Sequence, residues 1–138
     1  MTKDVDITII GKQESIEDNE VTIKTTGSYH FTNGKHYIQY DEISEEDGKA
    51  IRNTLKISPN EVSYRKKDKF NTWMYFEKNE ISQMNYPTPY GNLALYISTR
   101  IIDVTETQEK IEAVLEYTLS NNNASVSENT LHIIISAK

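Results

Sequence analysis

Apolar and polar residues alternate along nearly the whole chain, and no stretch sustains the 3.6-residue period of a helix. Val5, Ile7 and Ile9 alternate with Asp6 and Thr8; Val21 and Ile23 begin an odd-numbered series that continues through Thr25, Gly27, Tyr29 and Phe31. A period of two sends successive side chains to opposite faces of a strand, which fits a sheet with one buried and one wet face. The residue types agree, since nine tyrosines, many β-branched residues and only five glycines suit a pleated, half-buried surface.

Thr32-Asn33-Gly34-Lys35 sets the first register. Asn-Gly between alternating runs favours a type I′ hairpin, because both residues tolerate positive φ. With Asn33-Gly34 as the loop, Phe31 opposes His36, Tyr29 opposes Ile38, Gly27 opposes Tyr40 and Thr25 opposes Glu42. Opposed residues share a face, so Val21, Ile23, Tyr29, Phe31, Ile38 and Tyr40 are expected inside. His30, Tyr37 and Gln39 are expected outside. Gly27 in mid-strand suggests a bend or bulge.

An acidic loop over 44–48 precedes a strand expected at 50–57. The Ser58-Pro59-Asn60-Glu61 turn then pairs Ile57 with Val62, Leu55 with Tyr64 and Thr54 with Arg65. Lys66-Lys67-Asp68-Lys69 leaves two registers open. A two-residue turn puts Trp73 and Tyr75 on the core face, whereas a three-residue turn puts Phe70, Met74 and Phe76 there. The second gathers three apolar residues, recruits Ile81 across a Lys78-Asn79 turn, and is preferred. Trp73, Tyr75, Met84 and Tyr86 then lie outside.

The strongest break is Tyr86-Pro87-Thr88-Pro89-Tyr90-Gly91, which holds two of the three prolines. Each removes a backbone donor, so no ladder is expected to run straight through, and the stretch reads as the seam of the sheet. Beyond it, Leu93, Leu95, Ile97, Thr99 and Ile101 form one inward series, and Ile111, Ala113, Leu115, Tyr117 and Leu119 the next. Asn121-Asn122-Asn123 is a loop, and Leu131, Ile133 and Ile135 close the chain. The expected fold is all-β: a single domain over residues 1–138, an antiparallel up-and-down barrel of about eight to ten strands, whose closure hides strand edges.

With those residues placed, the chain resembles the YwiB-like proteins, an uncharacterised family of small bacterial proteins with a lipocalin-like (calycin) β-barrel. The resemblance rests on Thr26-Gly27-Ser28-Tyr29, on Tyr37-Ile38-Gln39-Tyr40-Asp41-Glu42, and on Arg65 and Met74. It continues through Thr88-Pro89-Tyr90-Gly91-Asn92-Leu93 with Thr99, and Tyr117 with Leu119. It implies the barrel and a set of positions, and no reaction.

Composition narrows the function. There is no cysteine, which excludes disulfides and thiol chemistry and points to a reducing cytoplasm. A net charge of −6 argues against DNA or RNA as a partner. No apolar run approaches the ~20 residues of a membrane-spanning helix. His30 and His36 fall on opposite faces and His132 points outward, so three surface or rim histidines and no metal site are expected. No Gly-x-Ser-x-Gly elbow or phosphate loop is present, and no cofactor or catalytic residue is assigned. Glu42, facing inward near a barrel end with Tyr40, Thr99 and Tyr117, is expected to form a polar cluster in an apolar interior. The candidate ligand-binding residues are therefore Tyr29, Phe31, Tyr40, Glu42, Thr99 and Tyr117. The expected function is a non-catalytic barrel that binds a small apolar or amphipathic ligand. The competing expectation is a homodimer or partner surface built on Trp73, Tyr75, Met84 and Tyr86, and an enzyme using Glu42 and nearby tyrosines ranks last.

Overall fold

The computed structural model describes residues 3–13, 20–68, 71–121 and 124–138. These contain ten strands and no helix: β1 (Asp4–Gln13), β2 (Glu20–Thr32), β3 (Lys35–Ile43), β4 (Ala50–Ser58), β5 (Glu61–Lys67), β6 (Thr72–Glu77), β7 (Ile81–Thr88), β8 (Gly91–Glu106), β9 (Lys110–Asn121) and β10 (Ala124–Ala137). They form one antiparallel sheet in the order β6-β5-β4-β3-β2-β1-β10-β9-β8-β7. The sheet curls into a nearly closed barrel, with the first and last strands paired in its middle and its two edges at β6 and β7.

The Asn-Gly hairpin forms as its chemistry requires. Asn33 and Gly34 take φ of 53° and 74°, and Phe31 opposes His36 and Tyr29 opposes Ile38. The ladder stops at Ser28 and Gln39, however, so Gly27 does not oppose Tyr40 nor Thr25 Glu42. From Ser28 back to Glu20, β2 pairs with β1 instead. Gly27 is the corner: a Cβ there would sit 2.3 Å from the Gln39 carbonyl oxygen and 2.8 Å from Ile7 Cδ1. Because β2 parts from β3, Val21 is 60% and Ile23 38% exposed, and Phe31 at the hairpin tip is 57% exposed. Those three do not line a sealed interior as expected.

The β4–β5 register is as expected, with Ile57 opposite Val62, Leu55 opposite Tyr64 and Thr54 opposite Arg65. Across β5 and β6, Tyr64 faces Met74 and Val62 faces Phe76, so Met74 and Phe76 take the inward face of the preferred alternative, although the ladder closes at Lys66 and Thr72 and not across a three-residue turn. Phe70 of that alternative, and Asn122 and Asn123 of the expected loop, lie outside the described residues.

Two faces differ from expectation. Ile81 is 68% exposed and Met84 is buried. A hairpin ladder across Lys78-Asn79 would have put Ile81 inside, but β6 and β7 are the sheet's two edges and share no ladder. Instead β8 sets the face of β7 through the pairs Ser82–Ile97 and Met84–Leu95. The second difference is in β8, where the register slips between Thr99 and Ile101. This bulge turns Ile101 outward and brings Ile102 into the core.

The seam is therefore at residues 78–80 and not at the prolines. There, Asn79 (φ 64°) donates its amide to the Thr99 carbonyl at 2.9 Å, and the Lys78 amide reaches the Asn60 carbonyl at 3.3 Å. The proline stretch is an ordinary hairpin end, with Tyr86 opposite Leu93, Pro87 opposite Asn92 and Thr88 opposite Gly91. β7 is an edge strand, where a missing outward donor costs no ladder bond, and Pro89 occupies a favoured turn position. The core gathers the inward faces of all the terminal and central strands, including Val5, Ile7, Leu55, Phe76, Ile111 and Ile135. Each such side chain contributes about 1.5–3 kcal/mol by leaving water.

Candidate ligand-binding site

Three inward rows cross β3, β4 and β5. His36, Ile57 and Val62 form one, Ile38, Leu55 and Tyr64 the next, and Tyr40, Asn53 and Lys66 the third. The rows grade from an apolar middle toward a polar end at Glu42. Between them and the strands opposite lies a cavity of about 130 Å³. Every strand except β7 and β8 contributes to its wall, which marks it as the space inside the barrel. Leu55, Phe76 and Ile133 supply apolar surface, and Tyr40, Tyr64 and Tyr117 supply rings that carry hydroxyls. Ile23, at the corner where β2 leaves β3, is the exposed part of the lining.

A hydrogen-bond chain runs from this cavity to the surface. The Tyr40 hydroxyl donates to the Tyr64 hydroxyl at 3.4 Å, and Tyr64 donates to Asn53 Oδ1. Asn53, fully buried, donates through Nδ2 to Glu42 Oε1 at 3.3 Å and to the Ile51 carbonyl at 3.2 Å. Lys66 Nζ closes the chain on Glu42 Oε1 at 2.8 Å. Glu42 is thus half-exposed and paired, and its bond holds the Lys66 ammonium above the usual lysine range. Burial raises the hydroxyls of Tyr40, Tyr64 and Tyr117 above the usual tyrosine value, since an ionised phenol would lose its hydration.

Of the expected cluster, the structure links Tyr40 and Glu42 through Tyr64 and Asn53. Tyr117 lines the same cavity and meets Phe76 edge-on at 4.8 Å. Thr99 is its cross-strand neighbour, and its buried Oγ1 has no hydrogen-bond partner. Tyr29 and Phe31 lie elsewhere, at the opposite end of β3. There the Tyr29 hydroxyl is 2.8 Å from His36 Nδ1, and His36 Nε2 is 2.9 Å from Glu106 Oε2. His36 is only 5% exposed, so it is not the rim residue expected. The inward position can hold it because two partners satisfy both ring nitrogens. His30 does face outward, stacked on Tyr37, and His132 bonds Glu112 at 2.6 Å.

The four expected interface residues do not share one face. Met84 is in the core, whereas Trp73 and Tyr86 are exposed. Trp73 lies beneath the Arg65 guanidinium at 5.4 Å. Tyr75 donates to Glu61, and that carboxylate pushes the Tyr75 hydroxyl up to about 12.

Sequence reasoning missed Tyr64, Asn53, Lys66 and Glu106. The Pro59-Asn60 turn already placed Tyr64 beside Leu55, so its inward face was available. The same turn pairs Asn53 with Lys66, but their link to Glu42 needed the β3–β4 register, which a six-residue span between Ile43 and Ala50 leaves undetermined from sequence.

A family model described as "Domain of unknown function (DUF1934)" matches residues 7–133. The chain belongs to this family. The matched span of this DUF1934 chain contains every residue that lines the interior cavity. Among solved structures, the chain is similar to the crystal structure of ywiB protein from Bacillus subtilis. The TM-score is 0.72 and the identity 20%, over 98% of this chain and 90% of that one. At that identity the likeness concerns the barrel fold. No curated protein matches the chain.

Proposed function

We propose that this DUF1934 protein is a non-catalytic binding module that holds a small, apolar or amphipathic ligand inside the barrel. The observation that carries this reading is the interior cavity of about 130 Å³, apolar over most of its wall, with three tyrosines in its lining. Apolar cavities of about 150 Å³ stay dry and take up benzene, so the volume suits one ring or a short chain and is well below the ~300–1,000 Å³ of drug-sized sites. Its polar edge is fixed by the Tyr64–Asn53–Glu42–Lys66 chain, an arrangement that can orient a ligand's head.

A methyl-labelled sample titrated with benzene tests the reading. The methyl resonances of Leu55 and Ile133 are expected to shift saturably, while those of the distant Ile43 and Ile81 stay in place. Benzene that moves no interior methyl would end the interior-binding reading.

A further inference from the structure

The direction of the hydrogen-bond chain specifies what the cavity asks of its ligand. Lys66 fixes Glu42 as an acceptor at the outer end. Asn53 must then turn its amide NH₂ toward Glu42 Oε1 and the Ile51 carbonyl, which uses both of its donors. Its Oδ1 can only accept, so Tyr64 must give its one proton to Asn53. Tyr64 has no further proton, and its oxygen can only accept from Tyr40. Tyr40, the last member and part of the cavity wall, has its own proton committed and presents only lone pairs.

The second observation concerns Tyr117. It lines the same cavity, and its hydroxyl has no protein partner among the described residues. That hydroxyl is free to donate. A ligand hydroxyl can both give a proton to an acceptor such as Tyr40 and accept one from a donor such as Tyr117.

We infer that the cavity selects a compact apolar compound bearing one hydroxyl, a phenol or a short alcohol, whose proton is donated to the Tyr40 oxygen. This rests on the interior-binding reading and adds the ligand's chemical class. A purely apolar ligand leaves the Tyr40 lone pairs and the Tyr117 hydroxyl without a partner in the cavity, and sites built around a hydroxyl discriminate against analogues that lack one.

The experiment is calorimetric titration of the full chain with phenol and with benzene, repeated on Tyr40→Phe. For the wild-type chain, phenol is expected to bind at least about five-fold more tightly than benzene, the ratio that one net hydrogen bond gives. Tyr40→Phe is expected to lower that ratio, because the phenylalanine ring offers the phenol proton no acceptor. Equal affinities in the wild-type chain would overturn the hydroxyl preference while leaving interior binding intact. A phenol advantage that is undiminished in Tyr40→Phe would overturn the role given to Tyr40. Should neither compound bind, the interior-binding reading itself falls. The wild-type contrast decides the class of ligand even if Tyr40→Phe does not fold.

Discussion

Tyr40, Tyr64 and Tyr117 give this barrel an interior that is aromatic and polar at once. Burial raises all three hydroxyls above the ordinary tyrosine value near 10, and the nearby Glu42 carboxylate adds to this for Tyr40 and Tyr64. The sign of the consequence follows. A group whose folded pKa is raised stabilises the fold fully below its unfolded value and loses that contribution as the pH rises through the folded one. Stability is therefore expected to fall as the pH climbs above 10, with a slope of up to about 1.4 kcal/mol per pH unit for each proton retained in the fold. Absorbance at 295 nm followed together with strand content measures this. Three of the nine tyrosines are expected to ionise only as the sheet unfolds; one titration near pH 10 for all nine, with the sheet intact, contradicts it. His36 belongs to the same scale. Its inward position was readable from the Asn-Gly register, but its burial was not, because Glu106, which bonds its Nε2, comes from β8 and no local spacing brings the two together.

At the scale of elements, turn chemistry and alternation were legible wherever a short turn fixed a ladder. Pro59-Asn60 gave a register that holds along β4 and β5, and Asn33-Gly34 gave one that holds as far as Ser28 and Gln39. Alternation failed where a ladder was interrupted. The bulge at Arg100 moved Ile102 inward in place of Ile101, and the unpaired β6 and β7 edges left the face of Met84 to β8. Neither event changes composition, so neither leaves a mark in the sequence, and the prolines drew attention to the wrong hairpin. The β2 corner shows the opposite case. Gly27 was legible as a bend, and its reason is steric: any side chain there meets the backbone oxygen of Gln39. Gly27→Ala is accordingly expected to destabilise the protein by about 1–3 kcal/mol, the usual range for forcing atoms into packed space. A urea unfolding midpoint unchanged from wild type would show that β2 need not turn so closely against β3.

The whole molecule closes by pairing its first and last strands, which places the join of the sheet at the β6–β7 turn, stitched by Asn79 to Thr99 and by Lys78 to Asn60. Closure leaves among the described residues a small interior space with three tyrosines in its wall. The all-β barrel was legible from period and turn residues; the size of that space was not, because it depends on how side chains from eight strands meet. Xenon, which enters dry apolar cavities of this size, probes that space without any assumption about polar groups. A crystal pressurised with xenon is expected to show a single strong anomalous peak among Leu55, Phe76 and Ile133. A barrel interior without xenon under the same pressure would contradict a ligand-holding cavity.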